Sequence, residues 1–430
     1  MTLRSPRALT LGWLLCASNP LLAETVVLRC HAVIDGVGNE ARQDSTIRIE
    51  DDRIVSIGAS LDGIDGDRVI DLSAHTCLPG LIDAHAHLLI ATDDYQVDHL
   101  RRSSAYKALR GLKVARDLLR SGWTTLRVLG DADVFYAHLD VRTAIEEGLF
   151  DGPRLTGAGH YLSITGGGGD INFLGPEHHV VADGLVVDGV EAIRHAVREE
   201  LKFGSDWIKV LASGAMMSAG DNPERAHFSP EELRAMVEEA TRLGVPVAAH
   251  AHSAEGIKAA VRAGVRSIEH GTFIDDEGLS LMAERGVYLV PTLYLGDYYL
   301  EEQPESEAQA KMNALTRKYR GAHMEAVGKA IRGGVHVAVG TDYVGFPVAQ
   351  GVRELALLVE AGMTPMQAIQ AATRVNAELL GWQDRIGTLE AGKLADIIAV
   401  PGDPLRNLAV FENVSFVMLG GKVIRSVEAH

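Results

Sequence analysis

The feature that most constrains this chain is an apolar run at residues 78–87, LPGLIDAHAH, which ends in two histidines. The run opens with the turn pair Pro79-Gly80 and continues as a strand. Because side chains two residues apart lie on the same face of a strand, His85 and His87 point the same way. Two neighbouring imidazoles at a strand end are half of a metal-binding cage. Two polar side chains on a surface strand are the alternative, and the apolar residues around the histidines disfavour it.

The overall composition limits the class of protein. The chain has 430 residues, with 41 Lys and Arg against 58 Asp and Glu, for a net charge of −17. This acidic balance argues against nucleic acid and against an anionic membrane surface as partners. The length allows one large domain and a smaller one. Abundant glycine and few aromatic residues are typical of an α/β enzyme with many tight turns.

The first 23 residues resemble a signal peptide. Arg4 and Arg7 precede an apolar run at 8–23, and Ala23 precedes the expected cleavage point. We therefore expect a secreted protein of bacterial type, in the periplasm; a buried N-terminal strand is the alternative. Cys30 and Cys77 remain in the mature chain, and one disulfide between them is possible in an oxidising compartment. The sequence alone does not decide whether that bond forms.

The pattern of apolar and polar residues changes twice along the chain. Residues 24–77 and 381–430 consist of short β-strand patterns, which predict one composite β-sandwich built from both chain ends. Between them, residues 78–380 alternate apolar strands with amphipathic helices, which predicts an α/β fold, a (β/α)8 TIM barrel. A doubly wound open sheet is the alternative, weakened because no Gly-x-Gly-x-x-Gly directly follows a strand. The eight predicted strands are 78–87, 124–129, 154–158, 207–212, 245–252, 267–270, 287–292 and 335–342.

Residues that suit a metal site stand at the ends of five of these strands. Catalytic groups of a barrel lie at the C-terminal ends of its strands. A single histidine on a strand usually has a structural role, and an aspartate after a strand can cap a helix. The occurrence of several histidines and an aspartate at neighbouring strand ends favours metal binding instead. His252 shares a face with the preceding strand-end histidine, so we expect it to contact substrate and not to bind metal. The predicted ligands are His85, His87, Lys209, His250, His270 and Asp342.

Lys209 is the most informative of these residues. It lies within the apolar strand 207–211, where an ammonium beside bound cations is strongly disfavoured. A neutral amine can add carbon dioxide to give a carbamate, whose two anionic oxygens can bridge two metals. The alternatives are a lysine that extends to the barrel rim and a salt bridge with Asp206.

Together these motifs resemble the amidohydrolase superfamily. The resemblance is closest to its secreted Xaa-Pro dipeptidase and carboxypeptidase branch, which includes imidazolonepropionase-like hydrolases and ochratoxin-cleaving amidases. It covers nearly the whole chain. The motifs that carry it are LPGLIDAHAH at 78–87, IKVLASG at 208–214, HAH at 250–252, IEHG at 268–271, GTD at 340–342 and GTLEAGKLADII at 387–398.

The resemblance implies a binuclear site. His85, His87 and Asp342 would hold one divalent ion, and His250 and His270 would hold the other. Lys209, as N6-carboxylysine, would bridge the two ions. Zinc suits such a histidine-rich site, with manganese and cobalt as alternatives. The resemblance also implies a homo-oligomer, such as an octamer.

Two departures from the family pattern concern the substrate. Arg127 is followed by Val128 where the family commonly has aspartate, and 165–169 reads TGGGG where it often has Thr-Gly-Gly-His-Gly. A histidine at Gly168 would lie close to the substrate. Its absence predicts a roomier or less polar pocket, suited to an aryl amide.

The predicted activity is metal-assisted hydrolysis of an amide bond to a C-terminal amino acid, as in a carboxypeptidase or dipeptidase. Asp342 would take a proton from water and pass it to the leaving amine, and His252, Arg127 and His160 would contact the substrate. Ochratoxin A, an amide of phenylalanine with an aromatic acid, fits this form. The alternatives are a mononuclear aminohydrolase that deaminates a heterocycle, an imidazolonepropionase-like cyclic-amide hydrolase, and a non-enzymatic scaffold.

Overall fold

A computed structural model describes residues 25–59, 67–92, 94–304 and 306–427. The predicted signal peptide at 1–23 lies outside the described residues. Within them, no helix combines the length and the apolar character needed to cross a membrane.

The described residues contain sixteen strands and twelve α-helices. The strands are β1 (Thr25–Val33), β2 (Arg42–Glu50), β3 (Arg53–Ala59), β4 (Arg68–Pro79), β5 (Leu81–Ala86), β6 (Trp123–Leu129), β7 (Arg154–Ala158), β8 (Tyr161–Ser163), β9 (Leu185–Val186), β10 (Ile208–Leu211), β11 (Val247–Ala251), β12 (Ser267–His270), β13 (Tyr288–Val290), β14 (Ile397–Pro401), β15 (Phe416–Leu419) and β16 (Lys422–Arg425). The helices are α1 (Tyr95–Arg101), α2 (Ser104–Arg120), α3 (Ala137–Glu146), α4 (Val190–Lys202), α5 (Pro230–Arg242), α6 (Ala254–Ala263), α7 (Asp276–Arg285), α8 (Leu293–Glu301), α9 (Glu307–Arg332), α10 (Arg353–Glu360), α11 (Pro365–Gln370) and α12 (Asn376–Leu380). A π-helical turn, Ala371–Val375, connects α11 to α12, and 3-10 turns occur at Val348–Gln350 and Leu408–Asn413.

Both chain ends contribute to one sheet. Its order among the described residues is β16-β15-β14-β4-β1-β2-β3, with β1 and β4 parallel and the other neighbours antiparallel. Alternate apolar side chains of these strands, such as Leu28, Ile47 and Phe416, are buried together in a cluster of their own. A disulfide joins Cys30 of β1 to Cys77 of β4. The sequence predicts a sandwich of two sheets here, whereas the described strands form one hydrogen-bonded sheet.

The central part of the chain forms two parallel sheets. Their orders are β5-β6-β7 and β13-β12-β11-β10-β8-β9. The predicted α/β class is therefore confirmed. Residues 335–343, which include the predicted eighth strand at 335–342, are hydrogen-bonded to both sheets: Ala338 N donates to Leu289 O, and Ala84 N donates to Val339 O. The segment thereby brings the C-terminal ends of β5 and β13 to the same region of the molecule.

The start of α5 shows how local sequence fixes a helix end. In α5, Ser229 accepts a hydrogen bond from Glu232 N, and the Glu232 carboxylate in turn accepts from Ser229 N. This capping box, with Pro230 at the first helical position, fixes the start of the helix. Further along, α8 follows β13 directly and packs against the long helix α9. The pair of helices covers the C-terminal ends of the strands.

Candidate metal centre

Two groups of metal-binding side chains meet in one cavity. The first is His85, His87 and Asp342, and the second is His250, His252 and His270; within each group the potential ligand atoms lie within 4.8 Å of one another. The groups adjoin, since the ring centroids of His85 and His270 are 5.1 Å apart. The strand-end residues predicted from the sequence are thus brought together, and His252 joins them.

The backbone at the strand ends adopts an uncommon conformation. His270, Thr292 and Asp342 have φ values of +70°, +54° and +50°, in the left-handed region that side chains rarely adopt. Such conformations cost free energy and persist where the surrounding structure enforces them, often at functional sites. All three residues line the cavity, so the strain lies where side chains are directed into it.

Each histidine of the two groups uses one ring nitrogen in a hydrogen bond to a residue outside the predicted ligand set. This leaves the second nitrogen available, as in metal sites where an outer partner orients the ligand. The donor set therefore fits divalent metal ions such as zinc. The partners are Glu269 Oε2 for His85 Nδ1 (2.9 Å), Gly130 O for His87 Nδ1 (2.6 Å), Gly214 O for His250 Nε2 (3.2 Å), Thr272 Oγ1 for His252 Nδ1 (2.8 Å) and Thr292 Oγ1 for His270 Nδ1 (2.7 Å).

Lys209 lies beside both groups, since its charge lowers the pKa of His85 in the first and of His250 in the second. Its Nζ is 3.5 Å from His85 Nε2, and the side chain is almost completely buried on β10. Burial lowers the pKa of Lys209 to about 8, although the charges of Glu269 and Asp342 act against this shift. Asp206 is paired with Arg142 at 2.6 Å and not with Lys209, so the salt bridge weighed as an alternative is not formed. A lysine whose ammonium is destabilised in this way is suited to react as a neutral amine.

The electrostatics of the site favour neutral imidazoles and an ionised carboxylate. Burial and the neighbouring cationic and imidazole groups hold the pKa values of His85, His250, His252 and His270 well below their ordinary value. Burial would raise the pKa of Asp342, but His85 and His87 lower it to about 2. Asp342 in turn raises the pKa of His87, although burial acts in the opposite direction. The Asp342 carboxylate lies 3.2 Å from His87 Nε2. These are largely the protonation states in which such side chains bind metal.

Arg127 is not a substrate contact, contrary to the prediction from the sequence. Its side chain is completely buried behind His85 and does not line the cavity. Its guanidinium donates to Ala84 O (2.5 Å), Ser267 Oγ (3.0 Å) and Glu269 Oε1 (3.0 Å). Arg127 therefore supports Glu269, which in turn holds His85.

His160 was also predicted to contact the substrate, and the structure places it elsewhere. Its Nδ1 forms a 2.6 Å hydrogen bond with Glu200 Oε1, and its ring packs edge-on against Tyr136. The side chain is buried and does not line the cavity, because Glu200 holds it against α4. Among the three predicted substrate contacts, His252 lines the cavity.

Both polar and apolar residues line the cavity. Gly168 lines it, but the missing side chain leaves no open space there: an added Cβ would lie 3.0 Å from both Ala215 Cβ and Asp221 Oδ2. The less polar character expected of the pocket comes from other residues. They are Ile90, Leu211, Met216, Met217, Leu293, Leu295, Met312, Met324 and Val344.

The sequence interpretation missed two sets of residues. Glu269 stands within the IEHG motif, but no role was assigned to it; alternation along β12 places it opposite His270 and next to His85. The second set is the face of α9 that lines the cavity, Thr316, Arg320 and His323. Their spacing of four and three residues is a helical signal that could have identified this face.

The chain is similar to known proteins both in sequence and in fold. The profile of the amidohydrolase family matches residues 76–424. Ochratoxinase from Aspergillus niger is 36% identical over 432 residues, which cover 94% of this chain and 87% of that protein. A solved Xaa-Pro dipeptidase with methionine bound in its active site has a TM-score of 0.86 at 34% identity, covering 93% of this chain and 99% of the other. The crystal structure of the A. niger ochratoxinase has a TM-score of 0.81 at 32% identity, covering 94% and 96% of the two chains.

Proposed function

The chain belongs to the amidohydrolase family and is a hydrolase of amide or peptide bonds, and we propose that it uses two divalent metal ions to release a C-terminal amino acid from an amide. The resemblance stated from its sequence motifs is confirmed by these relatives. The finer points, namely the number of metal ions, the ligand roles and the substrate, make up the proposal.

The observation that carries the proposal is the position of Lys209 beside two groups of metal-binding side chains, on both of which its charge acts. In the proposed centre, His85, His87 and Asp342 would hold one ion, and His250 and His270 would hold the other. Lys209, as a carbamate, would supply oxygen ligands to both. To form the carbamate, its neutral amine bonds to the carbon of carbon dioxide, one C–O π pair moves to oxygen, and the proton on nitrogen passes to solvent water. Zinc is the proposed metal, because imidazole nitrogens dominate the donor set.

The chain's own residues supply positioning and proton transfer. Divalent ions bound here would polarise the amide carbonyl and lower the pKa of water. The carboxylate of Asp342 accepts the proton of the attacking water and delivers it to the leaving amine nitrogen. His252, whose ring is fixed by Thr272, orients the substrate at the cavity. Glu269 and Arg127 hold His85 in place from behind.

The substrate we propose has an apolar acyl group and an amino acid as the leaving amine. The methionine-rich wall of the cavity supports the first part, since flexible thioether side chains adapt to bulky apolar groups. The activities named for the relatives, ochratoxinase and Xaa-Pro dipeptidase, support the second. Ochratoxin A combines both features.

The proposal extends to the fold and to the location of the protein. We propose that the two parallel sheets and residues 335–343 form the (β/α)8 barrel of a domain at 78–380, and that 24–77 and 381–430 form the second domain. The hydrogen bonds of 335–343 to both sheets support the barrel. The disulfide between Cys30 and Cys77 supports export to an oxidising compartment after removal of 1–23. We also propose a homo-oligomer, such as an octamer, which light scattering would test.

The function is tested by hydrolysis of N-acyl amino acids, dipeptides and ochratoxin A, with and without chelator. Release of a free amino acid that stops on chelation and returns with zinc supports the proposal. If metal-loaded protein cleaves none of these amides, the proposed function is wrong. Deamination of a heterocycle by a protein with one ion per chain would instead favour a mononuclear aminohydrolase, and opening of a cyclic amide would favour an imidazolonepropionase-like enzyme.

A further inference from the structure

Thr292 connects the metal centre to helix α8. It directly precedes the first turn of α8, a position where a threonine side chain usually accepts a hydrogen bond from an N–H group of that turn. Thr292 forms no such bond. Its Oγ1 instead lies 2.7 Å from His270 Nδ1, and its backbone has a left-handed conformation with a φ of +54°. The N–H groups that open α8 therefore need another acceptor.

Glu354 on α10 supplies this acceptor. One oxygen of its carboxyl group accepts from Leu293 N at 3.0 Å, and the other accepts from Tyr294 N at 2.7 Å. These are the first two residues of α8. Glu354 is completely buried, and a buried polar group of this kind is tolerated where hydrogen bonds satisfy it. Glu354 thus caps α8 from a position 60 residues after Tyr294 in the chain.

The cap holds the backbone that carries Thr292. A left-handed backbone at a threonine is strained, and it persists where neighbouring contacts enforce it. The two hydrogen bonds to Glu354 are such contacts, and they begin at the residue directly after Thr292. When Thr292 is fixed in this way, its Oγ1 stays on His270 Nδ1. The second ring nitrogen of His270 then remains available for metal.

We propose that Glu354 is a positioning residue of the metal centre, because it caps α8 in place of Thr292 and so leaves the Thr292 hydroxyl group free to orient His270. This inference rests on the proposed function in one respect, namely the role of His270 as a metal ligand. Glu354 does not line the cavity. Its effect on bound metal therefore passes through the backbone at the start of α8, through Thr292 and through His270.

A purely structural role for Glu354 predicts a different result. In that case, loss of its carboxyl group would lower the free energy of unfolding and leave His270 in place. If Glu354 instead acts through Thr292, loss of either side chain should weaken metal binding. Loss of both should then add little to the loss of one, because the effects of side chains that share one set of contacts are not additive.

The test measures zinc affinity, by competition with a chelator, in E354M, T292V and the double variant T292V/E354M. Each single variant should bind zinc about 10- to 100-fold more weakly than wild type, as expected when a metal-binding histidine loses its outer partner. The double variant should lie within about twofold of T292V. T292S keeps the hydroxyl group and should bind zinc like wild type, whereas E354Q keeps one acceptor oxygen and should lie between wild type and E354M. E360Q is the matched control, since Glu360 is an exposed glutamate on the same helix, and it should bind zinc like wild type.

A second measurement needs neither metal nor turnover. In crystal structures of the metal-free proteins, the 2.7 Å contact between His270 Nδ1 and Thr292 Oγ1 should be lost in E354M and kept in wild type and in E360Q. The assignment of Glu354 is wrong if E354M keeps this contact, if E354M binds zinc as tightly as wild type, or if the effects of E354M and T292V multiply in the double variant. If E354M does not fold, E354Q takes its place in both measurements. A wild type that binds no zinc would overturn the proposed function, and the metal-free structures would then decide the role of Glu354.

Discussion

Replacing Glu269 by glutamine separates two effects of a buried carboxylate. One oxygen of Glu269 accepts from His85 Nδ1 at 2.9 Å, and the other accepts from Arg127 at 3.0 Å. The side chains of Glu269 and Arg127 are both completely buried. E269Q keeps the shape but removes the charge from both contacts.

Two magnitudes follow from this geometry. Loss of the outer partner of a metal-binding histidine lowers metal affinity about 10- to 100-fold. Leaving Arg127 as a buried cation without its partner costs about 3–5 kcal/mol of unfolding free energy. The double variant R127M/E269Q removes both charges, so it should recover most of the stability but not the metal affinity.

The assay has two independent measurements. Metal affinity is obtained by competition with a chelator, and unfolding free energy by urea titration of tryptophan fluorescence; Trp207 is a local reporter, since the Arg127 guanidinium lies 4.5 Å from its ring. E325Q, in an exposed ion pair with Lys329, is the control and should change stability by less than about 0.5 kcal/mol. Unchanged metal affinity in E269Q would refute the claim that Glu269 acts through His85.

Three further results are expected. Cys30→Ser should lower the free energy of unfolding by about 4 kcal/mol, because the bond to Cys77 closes a loop with a sequence separation of 47. A reductant should have no further effect on the stability of this variant. Equal stability of the variant and the wild type would contradict the prediction. Burial raises the pKa of Glu354 from 4.5 to about 8, although Leu293 N and Tyr294 N donate to it. The folded state then binds more protons than the unfolded state between about pH 4.5 and 8, so stability falls as pH rises through this window, and E354Q should flatten the slope; an unchanged slope in urea titrations would argue against a raised pKa. Chelation should lower the melting temperature as well as the activity, because ligands that bind the folded state stabilise it, and a chelated protein that melts like the metal-loaded one would contradict a folded-state metal site.

Local rules of sequence predicted much of the candidate site. The two-residue period of a strand placed His85 beside His87, and the tendency of catalytic groups to follow barrel strands identified His250, His270 and Asp342. These inferences need no knowledge of distant contacts. They depend on element type and on position within the element, which apolar runs and turn residues indicate directly.

Residues whose roles depend on distant contacts were assigned less well. Arg127 ends up behind the site because Ser267 and Glu269, about 140 residues later in the chain, surround its guanidinium. Nothing near Arg127 in the sequence indicates that it points inward. The face of α9 that lines the cavity was missed for the same reason. The packing of α8 on α9 brings its residues, such as Arg320, over the strand ends.

The same limit applies to the terminal domain. Alternating strands predicted β structure at both ends, and the structure joins them in one sheet through the pairing of β4 with β14. Whether such strands form one sheet or two depends on which edges pair, and this is set by packing between segments about 300 residues apart. At Gly168 the sequence indicated a missing side chain, but not that Ala215 and Asp221 would fill the space.

The central claim is that Lys209 bridges two metal ions as a carbamate. Its most direct test is anomalous diffraction at the zinc edge from crystals of protein loaded with zinc and bicarbonate. Two peaks about 3.5–4 Å apart, with density for a carboxylate on Lys209 Nζ between them, are expected. One peak, with Lys209 ending in an unmodified amine outside bonding distance of it, would contradict the account.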